Sequence, residues 1–206
     1  MIDYCPIKVK YIEFVLVISL LATYSLATYQ RNFVWKNPLV LWRDCTQKSP
    51  GKPRPCNNLG NAYYRAGFIH KAICEYKRAI TLAPDYAKAY NNLGATYYEI
   101  GFVDKAIDEY RKSLELNPED GEARYNYATA LHKKGRVDEA IVEYKVSVRL
   151  KPKNADAHYN LGIAYLSKGR FKQALMEFKA VLMLRPDHTG ARYYLTRAKL
   201  RASAPR

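Results

Sequence analysis

Residues 87–120 read AKAYNNLGATYYEIGFVDKAIDEYRKSLELNPED, and this stretch of 34 residues decides the fold. Its apolar and small residues fall in two runs at helical spacing: Ala89, Tyr90, Leu93, Gly94 and Tyr97, then Val103, Ala106, Ile107, Tyr110 and Leu114. Gly101 lies between the runs, where a residue free to adopt the left-handed conformation ends a helix. Pro118 stops the second run, because proline lacks the amide hydrogen a helix interior requires. The stretch therefore predicts two helices, a tight turn between them and a break after them.

The same columns recur on both sides at a step of 34 residues. Leu59-Gly60, Leu93-Gly94 and Leu161-Gly162 share one column, with Tyr127-Ala128 in the remaining unit. Gly67, Gly101, Gly135 and Gly169 share another, as do Ala72, Ala106, Ala140 and Ala174, and Pro84, Pro118, Pro152 and Pro186. Small residues in the Gly60 and Ala72 columns let two helices approach closely. The Tyr76, Tyr110, Tyr144 and Phe178 column supplies the rings that fill the space between them.

The pattern N-L-G-x-x-Y, a central Gly, then A-I-x-x-Y and a Pro resembles the tetratricopeptide repeat. The resemblance covers residues 53–188 and implies an all-α fold, a right-handed α-solenoid of four helix-turn-helix repeats (53–86, 87–120, 121–154 and 155–188). The third unit departs mildly, with Ala128 for glycine and Leu131 for tyrosine. Residues 189–206 read as a capping helix and basic tail, with Ala191, Tyr194, Leu195 and Ala198 repeating a first-helix pattern. A solenoid needs such a cap, because its last repeat otherwise exposes an apolar face. Upstream, residues 36–52 read as a degenerate half-repeat: Asn37 precedes Pro38 as a helix cap, Leu39, Leu41 and Trp42 supply apolar contacts, and Pro50 stands one period before Pro84.

Residues 1–10 form a leader and residues 11–35 the expected single-pass transmembrane helix. Its uncharged run, Phe14 to Gln30, has 17 residues. As a helix it rises about 26 Å, slightly short of a hydrocarbon core of about 30 Å. Lys10 and Arg31 close the gap by snorkelling, and Tyr11, Tyr24 and Tyr29 suit the interfaces. Two other readings stay open. Lys8 and Lys10 before the run, with Ser25-Leu26-Ala27 after it, fit a cleaved signal peptide, and the run also fits a buried helix of the array. Topology cues conflict. Arg31, Lys36, Arg43 and Lys48 favour a cytoplasmic C-terminal side, whereas a lone anchor behind a basic leader favours the extracytoplasmic side, which is the one expected here.

The 206 residues carry 34 Lys and Arg against 19 Asp and Glu. The excess is uneven. Residues 87–120 hold four cations against seven acids, residues 121–154 eight against four, and residues 189–206 five against none. Lys133, Lys134 and Arg136 with the tail form a basic patch for acidic protein or lipid headgroups, or a merely solvated face. No motif that reads nucleic acid is present, so none is expected as a partner. Cys5, Cys45, Cys56 and Cys74 show no C-x-x-C or metal-ligand spacing and read as small hydrophobes, unless an oxidising compartment pairs them.

In tetratricopeptide arrays the first helices line a concave face. Asn58, Asn92, Asn126 and Asn160 share one column there, an asparagine ladder resembling that of O-linked N-acetylglucosamine transferases. An amide donates and accepts at once, so a ladder suits an extended peptide backbone. Equally, the asparagines belong to the repeat consensus and bond within the array. Asn57, Asn61, Tyr64, Asn91, Tyr98, Tyr125, Thr129, His132 and Tyr159 complete the expected peptide-binding groove. The family's carboxylate clamp is disfavoured, because Asn57, Asn92 and Asn126 stand where cations would help and Glu122 is acidic.

His70, His132, His158 and His188 fall in different columns and form no constellation with a cysteine or acid, and neither a P-loop nor a nucleophile elbow occurs. The chain is thus expected to be no enzyme and to need no cofactor. It reads as a membrane-anchored adaptor for a protein or peptide ligand, with self-assembly into a homo-oligomer as a further option. Arg31, Asn32, Trp35, Leu41, Trp42 and Pro50 also resemble the last membrane helix and repeats of membrane-bound glycosyltransferases, which implies a non-catalytic substrate-binding part of such a system.

Overall fold

The computed structural model describes residues 6–203, with side chains described for 13–32 and 35–201, so the first half of the leader, Cys5 included, and the last three residues of the basic tail lie outside it. All regular structure among the described residues is helical. The chain divides into two compact units between Pro50 and Gly51.

The first unit holds α1 (Pro6–Lys36) and α2 (Pro38–Lys48). Asn37 separates them. Its Oδ1 accepts from the amides of Leu39 at 3.0 Å and Val40 at 3.4 Å, satisfying two of the donors a helix start leaves orphaned, and Pro38 at the first position needs no partner. Within α1, Glu13–Asn32 is long and apolar enough to cross a membrane, with mean hydropathy 1.2 and none of the window buried. Phe14, Leu20, Leu21, Leu26 and Tyr29 are all more than half exposed. The hydroxyls of Ser19, Thr23, Ser25 and Thr28 donate back to carbonyls three or four residues earlier, at 2.8–3.0 Å.

The second unit is a row of helix pairs: α3 (Pro53–Arg65) with α4 (Ile69–Leu82), α5 (Ala87–Glu99) with α6 (Val103–Leu116), α7 (Gly121–Lys133) with α8 (Val137–Leu150), and α9 (Ala155–Ser167) with α10 (Phe171–Leu184). A lone α11 (Thr189–Ser203) packs against α10 and α9. Each pair turns on a glycine with φ between 69° and 85°. The turn closes with two recurring bonds, such as Gly67 N to Tyr64 O at 3.0 Å and Phe68 N to Tyr63 O at 2.9 Å, the Schellman arrangement. After each proline a second turn enters the next pair, and Asp120 and Asn154 cap α7 and α9 through their side chains.

Ring over glycine is the packing unit. A Cβ on Gly60 would stand 2.6 Å from the Tyr76 ring, one on Gly94 2.9 Å from Tyr110, and one on Gly162 2.7 Å from Phe178. Tyr76, Tyr110, Tyr144 and Phe178 are the largest fully buried side chains. Neighbouring first helices touch along the row, whereas second helices meet only first helices. The row therefore curves with α3, α5, α7 and α9 on its inner side.

Two glycine substitutions separate the two roles. Gly94→Ala forces overpacking and should cost about 1–3 kcal/mol. Gly101→Ala meets open space but a left-handed backbone, and should cost about 1–2 kcal/mol. Gly51→Ala, with open space and no positive φ, should be near neutral. Urea unfolding followed by circular dichroism gives all three.

Candidate functional site

The candidate groove lies on the inner face. Eleven of its expected residues (Asn58, Asn61, Tyr64, Asn92, Tyr98, Tyr125, Asn126, Thr129, His132, Tyr159 and Asn160) are half-buried on α3, α5, α7 and α9. Asn57 and Asn91 differ from that expectation: they are 0% and 7% exposed and lie beneath the face, not on it. The physical reason is their place in the row. Asn92 Nδ2 donates to Asn57 Oδ1 at 2.9 Å, and Asn126 Nδ2 donates to Asn91 Oδ1 at 3.1 Å. Asn160 Nδ2 makes the equivalent bond to the Tyr125 hydroxyl at 3.0 Å. Asn92, Asn126 and Asn160 thus each fasten their helix to the residue one before the ladder position in the preceding repeat.

The bond uses one of two amide hydrogens. One donor and the Oδ1 acceptor of Asn92, Asn126 and Asn160 remain, so structural use of the ladder does not exhaust it.

A second set of links runs lower on the same helices. The Tyr64 hydroxyl donates to Glu99, and Lys133 sits over the Tyr98 ring, 4.5 Å from its centroid. Burial raises the Tyr98 and Tyr125 phenols and lowers the His132 imidazole. Between helices of a pair, the Tyr76 hydroxyl donates to Asn61 Oδ1 at 2.7 Å and that of Tyr144 to Thr129 Oγ1 at 3.0 Å.

The basic patch is largely committed within the array. Lys134 pairs with Asp104 at 2.9 Å and Arg136 with Glu139 at 2.7 Å, while Lys133 stands over Tyr98. The histidines separate into unrelated jobs. His188 Nδ1 accepts from the Ala191 amide at 3.0 Å at the start of α11, and His70 is exposed. Cys45, Cys56 and Cys74 are unpaired, and burial pushes the Cys56 thiol up.

One constellation escaped the sequence reading. Glu75, Glu109, Glu143 and Glu177 form a column on the second helices. Arg124 Nη1 donates to Glu143 at 2.6 Å and Arg124 Nε to the Pro118 carbonyl at 3.1 Å. His158 repeats this, with Nδ1 2.7 Å from Glu177 and Nε2 3.0 Å from the Pro152 carbonyl. Both neighbours are acceptors, so both ring nitrogens must donate, which selects the imidazolium. The Glu177 bond, foremost, holds the His158 pKa above its ordinary value. Cys56 and Tyr90 occupy the equivalent positions near Glu75 and Glu109. One Glu75 oxygen there is buried without a hydrogen-bond partner, and burial raises the Glu109 carboxyl.

Comparison with known proteins agrees with this architecture. A family model described as "TPR repeat" matches residues 60–101 and 128–169, and models described as "Tetratricopeptide repeat" match residues 109–142, 87–120 and 155–188. No curated protein matches. Among solved structures, the crystal structure of MamA protein is similar at 25% identity and a TM-score of 0.68, covering 73% of this chain and 82% of that one. A structure of MamA AMB-1 is 31% identical with a TM-score of 0.56, covering 65% of this chain and 78% of that one. The first TPR of Spaghetti (RPAP3), bound to the HSP90 peptide SRMEEVD, shares the fold at 23% identity and a TM-score of 0.56, covering 57% of this chain and 94% of that one.

The His158–Glu177 pair sets a pH dependence. A raised folded-state pKa means that the pair's stabilisation is fully present below the ordinary histidine value of about 6.5 and is lost as pH rises through the folded value. His132, lowered by burial, acts in the opposite sense. The difference in thermal midpoint between the native chain and His158→Gln, tracked by circular dichroism, should therefore shrink as pH rises from about 6 to about 9.

Proposed function

The chain belongs to the tetratricopeptide repeat family, and from that premise we propose that it is a membrane-anchored adaptor holding an extended protein segment along the face of its first helices. The observation that carries this is the half-used ladder. Asn92, Asn126 and Asn160 are pinned by one bond each and present a donor and an acceptor at regular intervals. Such groups match a peptide backbone whatever its side chains. Around them stand Tyr98, Tyr125, Thr129 and Tyr159, aromatic and hydroxyl groups that make adaptable contacts at low entropic cost. The first TPR of Spaghetti, which shares the fold, is bound to an HSP90 peptide. Non-catalytic holding fits an array whose histidines serve as a cap, an ion-pair member and isolated side chains.

The membrane part of the proposal rests on α1. Its apolar side chains point outward all round the Glu13–Asn32 window, and its Ser and Thr hydroxyls are satisfied by the helix's own carbonyls. In lipid an unsatisfied hydroxyl is costly, so this arrangement suits a bilayer. We place the repeats on the extracytoplasmic side, in keeping with a lone anchor behind a basic leader. A second reading, the substrate-holding part of a membrane glycosyltransferase system, draws on Arg31 stacked 6.0 Å from the Trp35 ring at the end of α1, within the R-N-x-x-W segment.

Two measurements test the proposal. Random-peptide display on the full chain in maltoside micelles should enrich binders, and Asn92→Ala with Asn126→Ala should weaken them about tenfold, as expected from losing two hydrogen bonds. Helical content should persist. Undiminished binding by that variant removes the ladder from the ligand site. Separately, the chain reconstituted in vesicles should resist alkaline carbonate extraction. Release into the supernatant would mean α1 does not span.

A further inference from the structure

Neighbouring first helices are bridged differently along the row. Between α3 and α5 the bridge is Tyr64 with Glu99, and between α5 and α7 it is Tyr98 with Lys133. At the last junction the corresponding residues are Leu166 on α9 and Arg201 on α11. Leucine offers neither a hydroxyl nor a ring face, and the junction stays open. The result is a pocket of about 370 Å³ lined by Ile163, Leu166, Phe171, Tyr194, Arg197 and Arg201.

Its chemistry is two-sided. Ile163, Leu166, Phe171 and the Tyr194 ring supply apolar walls. Arg197 and Arg201 stand one helical turn apart on α11 and so share a side of it. Arg197 is steadied by the Tyr193 hydroxyl at 3.3 Å, whereas Arg201 pairs with no acid among the described residues. Residues 189–203 include no Asp or Glu at all, so the guanidinium charge is not neutralised from its own helix. Guanidiniums present paired donors that fit carboxylates.

The geometry points to a terminal anchor for the bound segment: the pocket takes one bulky apolar side chain, and Arg197 and Arg201 take the carboxylate of an adjacent Asp or Glu. This rests on the reading that the first-helix face holds an extended segment. It adds a sequence requirement at one end, where the ladder imposes none.

The test uses the full chain in maltoside micelles and a fluorescent peptide, acetylated and amidated at its ends, with a Glu-Leu-Phe-Glu core. Anisotropy should show binding that weakens about tenfold when Gln replaces Glu, and by a similar factor when Ala replaces Leu-Phe. Arg197→Gln with Arg201→Gln should lose the same factor while helical content is unchanged, since both side chains are solvent-facing. Rising salt should weaken the native chain more than this variant. Equal binding by the double variant, or by the Gln peptide, overturns the anchor. Displacement by dodecanoate at equal or higher affinity also overturns it, in favour of an acyl carboxylate. The ladder variant Asn92→Ala with Asn126→Ala separates the two readings. If it keeps the acidic peptide but loses the displayed binders, both stand. If the arginine variant alone is without effect, the anchor falls and the ladder remains.

Discussion

An aromatic ring lying where a neighbouring helix lacks a Cβ is the contact on which the array depends. Tyr76 over Gly60, Tyr110 over Gly94 and Phe178 over Gly162 bring the two helices of a pair closer than any larger residue permits. Ala128 occupies that column in the third pair, beneath Tyr144, so one methyl is accommodated there. The ring's outer end then answers to the residue across the pair. Asn61 and Thr129 receive hydroxyls from Tyr76 and Tyr144, and where Ile163 has nothing to receive with, Phe178 carries no hydroxyl. Close approach and polar satisfaction are matched in those three pairs, as buried hydroxyls favour; in the second pair Ala95 stands in the acceptor column and offers the Tyr110 hydroxyl no partner.

Repetition at a fixed step made the helices, turns and core columns readable from sequence. Gly101 and Pro118 act through their own backbone, and the Tyr110 column acts within one repeat, so their consequences are local. The cross-repeat bonds were less legible. A shared column suggests asparagines stacked on asparagines, but the tilt between successive first helices offsets the contact by one residue, and Asn92 reaches Asn57, not Asn58. That offset buries Asn57 and Asn91, which sequence alone placed on the groove. Likewise the Arg124 and His158 partnerships with Glu143 and Glu177 join residues that the consensus leaves variable. The available signal was the Glu column itself, opposed by a different residue type in each repeat.

The links between first helices change character along the row. The first junctions are fastened by amide to amide, at Asn92 to Asn57 and Asn126 to Asn91. The third is amide to phenol, at Asn160 to Tyr125. At the last, the Tyr159 ring lies tilted against His188 at 4.8 Å and edge-on to Tyr194 at 6.1 Å, with no amide in the Tyr194 position. Directional hydrogen bonds thus give way to broad ring contacts.

This gradient has a consequence for any segment lying along the face. Amides recognise backbone and are indifferent to which residue supplies it, so they favour affinity without fixing register. Rings and an apolar pocket recognise a side chain, and a backbone alone cannot satisfy them. A groove with indifferent sites at one end and selective sites at the other breaks the symmetry between the two directions a peptide could run. On the proposed reading, register and direction would be set near α9 and α11, and the ladder would hold whatever length of chain follows.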